Sequence, residues 1–370
     1  MREKKTLSIS FIVSILILIV VGIAMMFSVS FTAGLHEYKD YYYFIIRQLV
    51  WVSAGGVFMI ITSRINYKRY KKIRGLFFLF GLVLLVAVLF IGREVNGARR
   101  WIIMGPIIIQ PSEVAKITFI VYLAGALEYY KEKRYKSIEI LVASLIPLLA
   151  FVVLIFAEKS FSSAAILFVI GFSMIFMSEV KMEQLIIFFM GFSGLAVMGI
   201  LSSDYRRRRI LSYFNGFDSG NADIGYQAKQ SLIAIGSGRF IGRFYGNGLQ
   251  KYFYLPERHT DYIFSTYAEE FGFLGCFFLV GVYFFMMVIM ITVINRTKDY
   301  FGKYLVFGIM VLFTTQALAN MFVVTGVVPS TGVTLPLISY GGSSTIIIMT
   351  ALGIVINVIN NIDDEVSENE

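Results

Sequence analysis

The sequence predicts an all-α, polytopic membrane protein of about ten transmembrane helices, with a large extracytoplasmic loop between helices seven and eight. Three observations support this fold class. Of the 370 residues, 57% are hydrophobic and 15% are charged, which is too apolar for a soluble domain whose surface must carry charge. The apolar residues fall in runs long enough to cross a bilayer. One long polar stretch, at about 203–261, interrupts these runs.

Apolar runs of about 20 residues have the length of a helix that crosses a hydrocarbon core of about 30 Å. Ten such runs begin near Ser8, Phe44, Leu76, Ile107, Ile138, Phe161, Gln184, Tyr262, Lys303 and Leu335. The first run follows the basic segment MREKK and resembles a signal peptide in its flanks. It is too long for the apolar region of such a peptide and shows no small-residue cleavage site, so we interpret it as a retained helix.

Lysine and arginine are concentrated in alternate connections between the runs, which indicates the orientation of the chain. With both termini in the cytoplasm, the inner segments hold the basic stretches 2–5, 64–74, 131–136 and 296–303, and the short outer loops hold fewer basic residues. These stretches account for the net charge of +9 without nucleic-acid binding, because they form no basic face of a folded soluble domain.

The chain is predicted to form one integral membrane domain, residues 1–361, followed by a short tail. An even number of spans places the acidic tail 362–370 in the cytoplasm, where it is expected to be disordered because it has nothing apolar to bury. The single cysteine, Cys276, lies inside an apolar run. This excludes a disulfide framework and a thiol-rich metal site, and we interpret Cys276 as a packing residue.

Four polar segments are predicted to meet on the outer side of the membrane. They are the turn at 93–106, the connection at 158–163, the long loop that begins at Asp204, and the turn TGVVPSTGVTLP at 325–336. A loop of this length in a compact protein usually has a function. A site among these segments would be open to a lipid whose head group projects from the outer leaflet.

The segment LPERHTDYIF, at 255–264, places Glu257, His259 and Asp261 beside the start of an apolar run. Apolar neighbours raise the proton affinity of a carboxylate, which would suit Asp261 as a general base at the membrane surface. Aspartate is also common at helix N-caps, where it could act together with Thr260. The residues alone favour the N-cap interpretation of Asp261.

Glu113 and Lys116 are three residues apart, so they lie on one face of a helix that Pro111 can begin. A charge near the bilayer centre costs about 2.5–3.5 kcal/mol on the insertion scale. The two side chains are therefore expected to pair with each other or to line a wet cavity, and a purely structural ion pair is the alternative to a catalytic role.

Two groups of arginines could bind an anionic head group. Arg206 and Arg209 belong to four consecutive arginines, whose planar guanidinium groups suit phosphate oxygens. Arg99, Arg100 and Trp101 lie at the predicted outer interface. In both groups, anchoring of the span to lipid head groups is the alternative.

Taken together, five motifs resemble those of the SEDS family of bacterial membrane proteins, which includes FtsW, RodA and SpoVE. The resemblance spans nearly the whole chain, in the order and at about the spacing of the family. The motifs are NGARRWI, QPSEVAK, GYQAKQSLIAIGSG, QKYFYLPERHTDYIF followed by AEEFGFLG, and PSTGVTLPLISYGGSS. GARRW and YRRRR are more similar to the FtsW branch than to the RodA branch.

The resemblance implies a peptidoglycan glycosyltransferase that polymerises lipid II on the outer face of the bacterial cytoplasmic membrane, in cell division. The essential aspartate of the family matches Asp261, the implied general base, and Glu113 and Lys116 are further candidate catalytic residues. The candidate substrate-binding residues are Arg99, Arg100, Trp101, Arg206, Arg209, Lys251, Glu257, His259 and Ser343.

The resemblance also implies partners. These are a class B penicillin-binding protein, which is a transpeptidase, other division or elongation membrane proteins, and membrane lipids. A divalent cation, Mg²⁺ or Mn²⁺, is possible, although the sequence has no clean cluster of hard oxygen ligands and no metal site is assigned.

The chain departs from the family pattern at two places. Where the family has (Q/E)-P-D-(L/F)-G-T, this chain has EKSFSS, so that Lys159 replaces proline and Ser160 replaces an acidic residue. Glu158 is predicted to compensate, and Glu158→Gln should then cripple polymer formation. Arg239 and Phe244 replace two family glycines, so the backbone of this loop is expected to differ.

Two other functions remain open on the sequence. A flippase for lipid-linked precursors would account for the intramembrane Glu113 and Lys116, and a scaffold without chemistry would only position the transpeptidase. Polymer formation by the purified protein separates a glycosyltransferase from both.

Overall fold

The computed structural model describes residues 2–95, 98–105, 107–201, 222–252 and 259–362, which are mostly helical. In chain order, the helices in this part of the chain are α1 (Arg2–Tyr38), α2 (Tyr43–Arg64), α3 (Lys68–Lys72), α4 (Arg74–Ile91), α5 (Pro111–Glu132), α6 (Ser137–Ala157), α7 (Phe161–Phe176), α8 (Met182–Leu201), α9 (Ala222–Gly238), α10 (Ile263–Arg296), α11 (Tyr300–Val324) and α12 (Gly342–Asn361). Three short strands, β1 (Arg93–Val95), β2 (Ala98–Met104) and β3 (Ile107–Ile109), lie between α4 and α5.

Ten of these helices correspond to the ten predicted spans, which confirms the all-α membrane fold. Within the described residues, seven are long and apolar enough to cross a membrane: α1, α2, α4, α6, α10, α11 and α12. Helices α7 and α8 are apolar but shorter, and α5 has sufficient length but carries charged residues at both ends. Two helices begin later than predicted, at Pro111 rather than Ile107 and at Gly342 rather than Leu335.

Helix α5 is the centre of the bundle. It is buried along most of its length and packs against α4, α6, α7 and α11. The sequence explains where it begins. Gln110 has the extended backbone expected before a proline, and Pro111 occupies the first helical position, where its missing N–H is not needed. Glu113 lies in the first turn, where the helix dipole favours a negative charge.

The segment predicted as a simple turn at 93–106 instead forms part of a small antiparallel sheet. Strand β2 pairs with β1 and with β3, so that Trp101 lies opposite Arg93 and Ile102 lies opposite Ile109. The prediction of a turn was wrong because isoleucine and tryptophan favour pleated, half-buried backbone. The sheet fixes the direction in which Arg99 and Arg100 project.

The long loop contains a helix that the sequence analysis did not predict. Helix α9 lies beside the beginning of α10: Ser231 Oγ is 2.6 Å from Ser265 Oγ, and Ser237 Oγ donates to Glu269 Oε1 at 3.3 Å. The later residue of α9 contacts the later residue of α10, so the two helices run parallel here. The chain then returns through residues 239–252, which are bound to Glu269 and Glu270 of α10.

Helix α10 is kinked at Gly272, whose φ of 64° and ψ of −163° are not helical. The kink frees the backbone N–H groups of Phe273 and Leu274, which donate to the carbonyl groups of Arg239 and Phe240 at 3.0 and 3.2 Å. A Cβ on Gly272 would lie 2.3 Å from the backbone nitrogen of Gly242. The returning segment is therefore packed into the kink, which only glycine permits.

We expect Gly272→Ala to destabilise the protein, because alanine must adopt a left-handed backbone and its Cβ meets the returning chain. Strain of this kind costs about 1–3 kcal/mol. The thermal midpoint of the purified protein, measured by the loss of the monodisperse peak on size-exclusion chromatography, should fall by several degrees.

Gly281→Ala in the same helix is the matched control, because a Cβ at Gly281 meets no atom within 4 Å. This substitution should leave the midpoint unchanged or raise it, since alanine favours the helix by about 0.5–1 kcal/mol over glycine. Equal midpoints for the two variants would show that the kink does not require glycine.

Candidate active site

Asp261 lies in a turn immediately before α10, next to the turn at 325–336. A Cβ placed on Gly332 would be 3.5 Å from Asp261 Oδ2, so the carboxylate and this turn are in contact distance. The N-cap position of α10 is Tyr262, whose own side chain makes no capping hydrogen bond. The N-cap interpretation of Asp261 was therefore wrong, because the helix begins one residue later than that role requires.

Three consecutive backbone carbonyl groups hold the segment 259–261 in place. The carbonyl of His259 accepts from Tyr340 N at 2.9 Å, and that of Thr260 accepts from Ser339 Oγ at 2.6 Å. The carbonyl of Asp261 accepts from Asn320 Nδ2 at 2.7 Å. The amide of Asn320 also donates to the carbonyl of Val333 at 2.7 Å. One side chain of α11 thus joins the backbone at Asp261 to the turn that contacts its carboxylate.

His259 is held by aromatic packing. Its ring lies 4.6 Å from the ring of Phe44 and 6.0 Å from that of Tyr340, measured between centroids. Both neighbours are apolar on their faces, so His259 contributes to the attachment of this segment to α2. Its predicted role in substrate binding stays a prediction.

Glu113 and Lys116 form the predicted ion pair. Lys116 Nζ lies 2.6 Å from Glu113 Oε1. The side chain of Lys116 is 1% exposed and that of Glu113 is 9% exposed. The second oxygen, Oε2, accepts a hydrogen bond from Gln316 Nε2 at 3.4 Å. Gln316 and Asn320 are four residues apart on α11 and share one face of that helix. This face connects the ion pair to the backbone of Asp261.

Sequence reasoning missed Gln316 and Asn320. Both lie in the apolar run of α11, where an amide side chain is costly unless it is hydrogen-bonded. Their spacing of four residues was the available signal, because it places two polar groups on one side of a helix.

Hydrogen bonds join some of the segments that are predicted to meet, and the location of these segments on the outer side of the membrane stays a prediction. Ser343 Oγ, at the start of α12, accepts from the backbone nitrogen of Gln110 at 3.3 Å. Ser162 Oγ, at the start of α7, donates to the carbonyl of Thr331 at 2.5 Å. The turn at 325–336 therefore contacts the start of α7, with Asp261 beside it, and the start of α12 contacts the residue that precedes α5.

Glu158 is almost fully buried, with 1% of the residue exposed. Neither carboxylate oxygen has a hydrogen-bond partner within the described residues. Burial raises the pKa of Glu158 from its ordinary value of 4.5 to about 8, and the nearby Arg100 guanidinium opposes this rise. Arg100 Nη2 also donates to the carbonyl of Lys159. A buried carboxyl group that holds its proton near neutral pH thus lies beside α7.

Arg99 and Arg100 point to opposite faces of β2, as consecutive strand residues do. Arg99 is exposed; its Nη1 donates to the carbonyl of Leu89 at 3.3 Å, and its Nε lies 3.5 Å from Glu94 Oε2. Trp101 is half-buried on the same face as Arg99. Only Arg100 among these residues makes a described contact with the 158–163 connection.

Lys251 is enclosed rather than open to a ligand. Its Nζ lies 2.9 Å from Glu270 Oε1, and it donates to Ser28 Oγ at 2.8 Å and to the carbonyl of Gly246 at 2.5 Å. The side chains of Lys251 and Glu270 are 3% and 0% exposed. This geometry gives no support to the substrate-binding role of Lys251, which stays a prediction.

Three candidate residues, Arg206, Arg209 and Glu257, lie outside the described residues, as does the tail at 363–370. The possible divalent cation also stays a prediction. Within the ranges that the structure describes, no three His, Cys, Asp or Glu side chains are grouped as metal ligands.

The family model described as "Cell cycle protein", for FtsW, RodA and SpoVE, matches residues 8–363. A probable peptidoglycan glycosyltransferase FtsW from Saccharophagus degradans is 36% identical over 360 residues, which cover 96% of this chain and 92% of that protein. The protein of the same name from Coxiella burnetii is 33% identical, over 97% of this chain and 98% of its own length.

Two solved structures have the same fold. A chain of a peptidoglycan synthase complex matches with a TM-score of 0.77 at 24% identity, over 95% of this chain and 97% of its own. The rod shape determining protein RodA of Thermus thermophilus matches with a TM-score of 0.71 at 25% identity, over 95% and 96%. With a family model that matches nearly its whole length and relatives that are 33–36% identical over most of it, this chain belongs to the FtsW, RodA and SpoVE family of cell cycle proteins, the SEDS family.

Proposed function

We propose that this protein is a peptidoglycan glycosyltransferase that polymerises lipid II on the outer face of the cytoplasmic membrane, during cell division. Its relatives at 33–36% identity over most of the chain are named as probable peptidoglycan glycosyltransferases FtsW. The observation that carries the proposal is the fixed position of Asp261, whose backbone is bonded to α11 and whose carboxylate lies beside Gly332.

In this reaction, a sugar hydroxyl oxygen attacks an anomeric carbon as the bond from that carbon to the diphosphate breaks. Asp261 takes the hydroxyl proton, and the diphosphate leaves with its negative charge. A base held by three backbone hydrogen bonds loses little entropy in reaching the proton, which favours the transfer. Arg100, Arg99, Arg206 and Arg209 are the cations that we assign to the diphosphate.

Glu113 and Lys116 have a different role in this proposal. Because Lys116 Nζ is already enclosed by Glu113, the pair is neutral as a unit and acts on the site through Gln316 and Asn320. This closed geometry also favours the glycosyltransferase over a flippase, since the two charges do not line an open path.

Both termini lie in the cytoplasm, and a class B penicillin-binding protein is the proposed partner.

The first test is Asp261→Asn in a glycan-polymerisation assay with purified protein, lipid II and the cognate transpeptidase. Loss of the general base should lower the rate by about 10²- to 10⁴-fold. Asp40→Asn is the control, because Asp40 is exposed and its carboxylate caps only the local turn at Tyr42. The Asp261 variant should still bind the transpeptidase. An unchanged rate would favour the scaffold, and transport of lipid II without polymer would favour the flippase.

A second test separates the structural and functional roles of the buried ion pair. Glu113→Gln leaves Lys116 charged and buried without its carboxylate, which should destabilise the protein by about 3–5 kcal/mol. The double variant Glu113→Gln with Lys116→Met removes both charges and should recover most of the thermal midpoint. We expect its polymerisation rate to remain low. Full recovery of the rate together with the midpoint would show that the pair serves folding alone.

A third test concerns Glu158 and pH. Because burial raises its pKa from 4.5 to about 8, the folded protein binds this proton more tightly than the unfolded chain, and stability falls as pH rises through that window. Glu158→Gln removes the titration, so the thermal midpoint of the variant relative to the wild type should increase from pH 5 to pH 8.5. Glu179→Gln, at a carboxylate that is 59% exposed, is the surface control.

The same Glu158→Gln variant tests the predicted role of the residue in the reaction. A glutamine is neutral like the protonated acid but has no proton to transfer, so polymer formation should be crippled even where the variant is stable. An undiminished rate would remove Glu158 from the site, and a midpoint difference that does not change with pH would contradict its raised pKa.

A further inference from the structure

Two adjacent carboxylates, Glu269 and Glu270, lie in the part of α10 between Asp261 and the kink at Gly272. Both residues are fully buried. They belong to the AEEFGFLG motif, to which the proposed reaction assigns no role. Eight residues at a rise of about 1.5 Å place Glu269 roughly 12 Å along the chain from Asp261. Asp261 thus lies just before the first turns of α10, and these two carboxylates lie at the end of those turns.

Glu269 binds the returning segment of the loop through its backbone. Its Oε1 accepts from the nitrogen of Leu249 at 2.8 Å, and its Oε2 accepts from the nitrogen of Gln250 at 3.1 Å. Ser237 Oγ, at the end of α9, donates to Oε1 at 3.3 Å. The backbone carbonyl of Glu269 also accepts from the nitrogen of Arg243 at 3.0 Å. One residue therefore fixes both arms of the hairpin formed by 222–252.

Glu270 binds the same hairpin and ties it to α1. Its Oε2 accepts from the nitrogen of Gly246 at 3.1 Å. Its Oε1 lies 2.9 Å from Lys251 Nζ and accepts from Ser28 Oγ at 2.6 Å. Lys251 in turn donates to Ser28 Oγ and to the carbonyl of Gly246. The charge of Lys251 is thus used to hold the hairpin against α1 and α10.

The chemistry of a carboxylate explains why glutamate occupies both positions. Backbone N–H groups in an irregular buried segment must find acceptors, and a carboxylate supplies two oxygens that accept only. A glutamine has one accepting oxygen, so one of the two N–H groups bound by Glu269 would face an NH₂ group. Leaving a buried donor unsatisfied displaces the segment that carries it.

We propose that Glu269 and Glu270 are positioning residues for glycosyl transfer: by fixing the hairpin 222–252 against the first turns of α10, they set the position of Asp261. This inference rests on the proposed function. Asp261 immediately precedes α10, and the hairpin is bound to Glu269 and Glu270 in the first turns of the same helix, so the position of the hairpin constrains that of Asp261. The kink at Gly272 divides α10, so the first turns, which carry Glu269 and Glu270, form a short helical segment distinct from the rest of the helix.

The test compares Glu269→Gln and Glu270→Gln with Glu128→Gln in the full-length protein. Glu128 is a matched control, because it is also a buried glutamate, 4% exposed, paired with a lysine at 2.8 Å, but on α5 beside Lys71. Thermal midpoints, hydrogen exchange of the backbone, and the kcat and KM of polymerisation from lipid II are measured for all three variants and the wild type.

We expect the two hairpin variants to lose exchange protection at the amides of Gly246, Leu249 and Gln250, with the change extending to 259–262. Their kcat should fall about 10- to 100-fold, as for a displacement of about 1 Å, while KM changes by less than about threefold. Glu128→Gln should show a comparable decrease in thermal midpoint but an unchanged kcat. If Glu270→Gln does not fold, Lys251→Met with Glu270→Gln removes the buried charge imbalance and is measured instead.

Equal losses of kcat in the hairpin variants and in Glu128→Gln would overturn the inference, because a general loss of stability would explain them. A normal kcat in the hairpin variants alongside lost protection would also overturn it. If the wild type itself forms no polymer, the proposed function fails instead. In that case, lost protection confined to 246–250, without a change at 259–262, would independently contradict the positioning of Asp261.

Discussion

A charged or amide side chain inside an apolar helical bundle must find its hydrogen-bond partners within the protein, and this constraint organises the structure. Water is not available to satisfy such groups in the bilayer core, and an unpaired charge there is costly. Lys116 meets the requirement with Glu113, and Glu113 has a second partner in Gln316. Lys251 meets it with Glu270 and Ser28. The contacts of Glu113 with Gln316 and of Lys251 with Ser28 join segments that are distant in sequence.

Asn320 shows how the same constraint positions the candidate site. Its amide group donates to the carbonyl groups of Asp261 and Val333, which belong to two irregular segments that helices cannot hold by their own backbone bonds. The neighbouring Gln316, one turn away, contacts the buried ion pair. A polar face on α11 therefore links the centre of the bundle to the segment that carries the proposed base, and the resulting position of Asp261 is set by several helices at once.

The departures from the family pattern have a backbone explanation. Lys159 has a φ of 59°, whereas a proline ring fixes φ near −65°, so the family proline could not adopt the conformation found here. Arg239 and Phe244 have φ values of 48° and 66°, in the left-handed region that glycine favours. The chain thus adopts at these two positions a conformation that glycine favours, and the expectation of a different loop backbone stays a prediction.

The sequence by itself determined the helical membrane fold, the position of each apolar run and the pairing of Glu113 with Lys116. Hydrophobic length and helical spacing are local properties, so they can be read along one chain. Tertiary structure alone decided that Lys251 is enclosed by Glu270, that α9 runs beside α10, and that Asn320 holds the backbone of Asp261. These contacts join residues that are not neighbours in sequence, and the packing of the helices decides which residues meet.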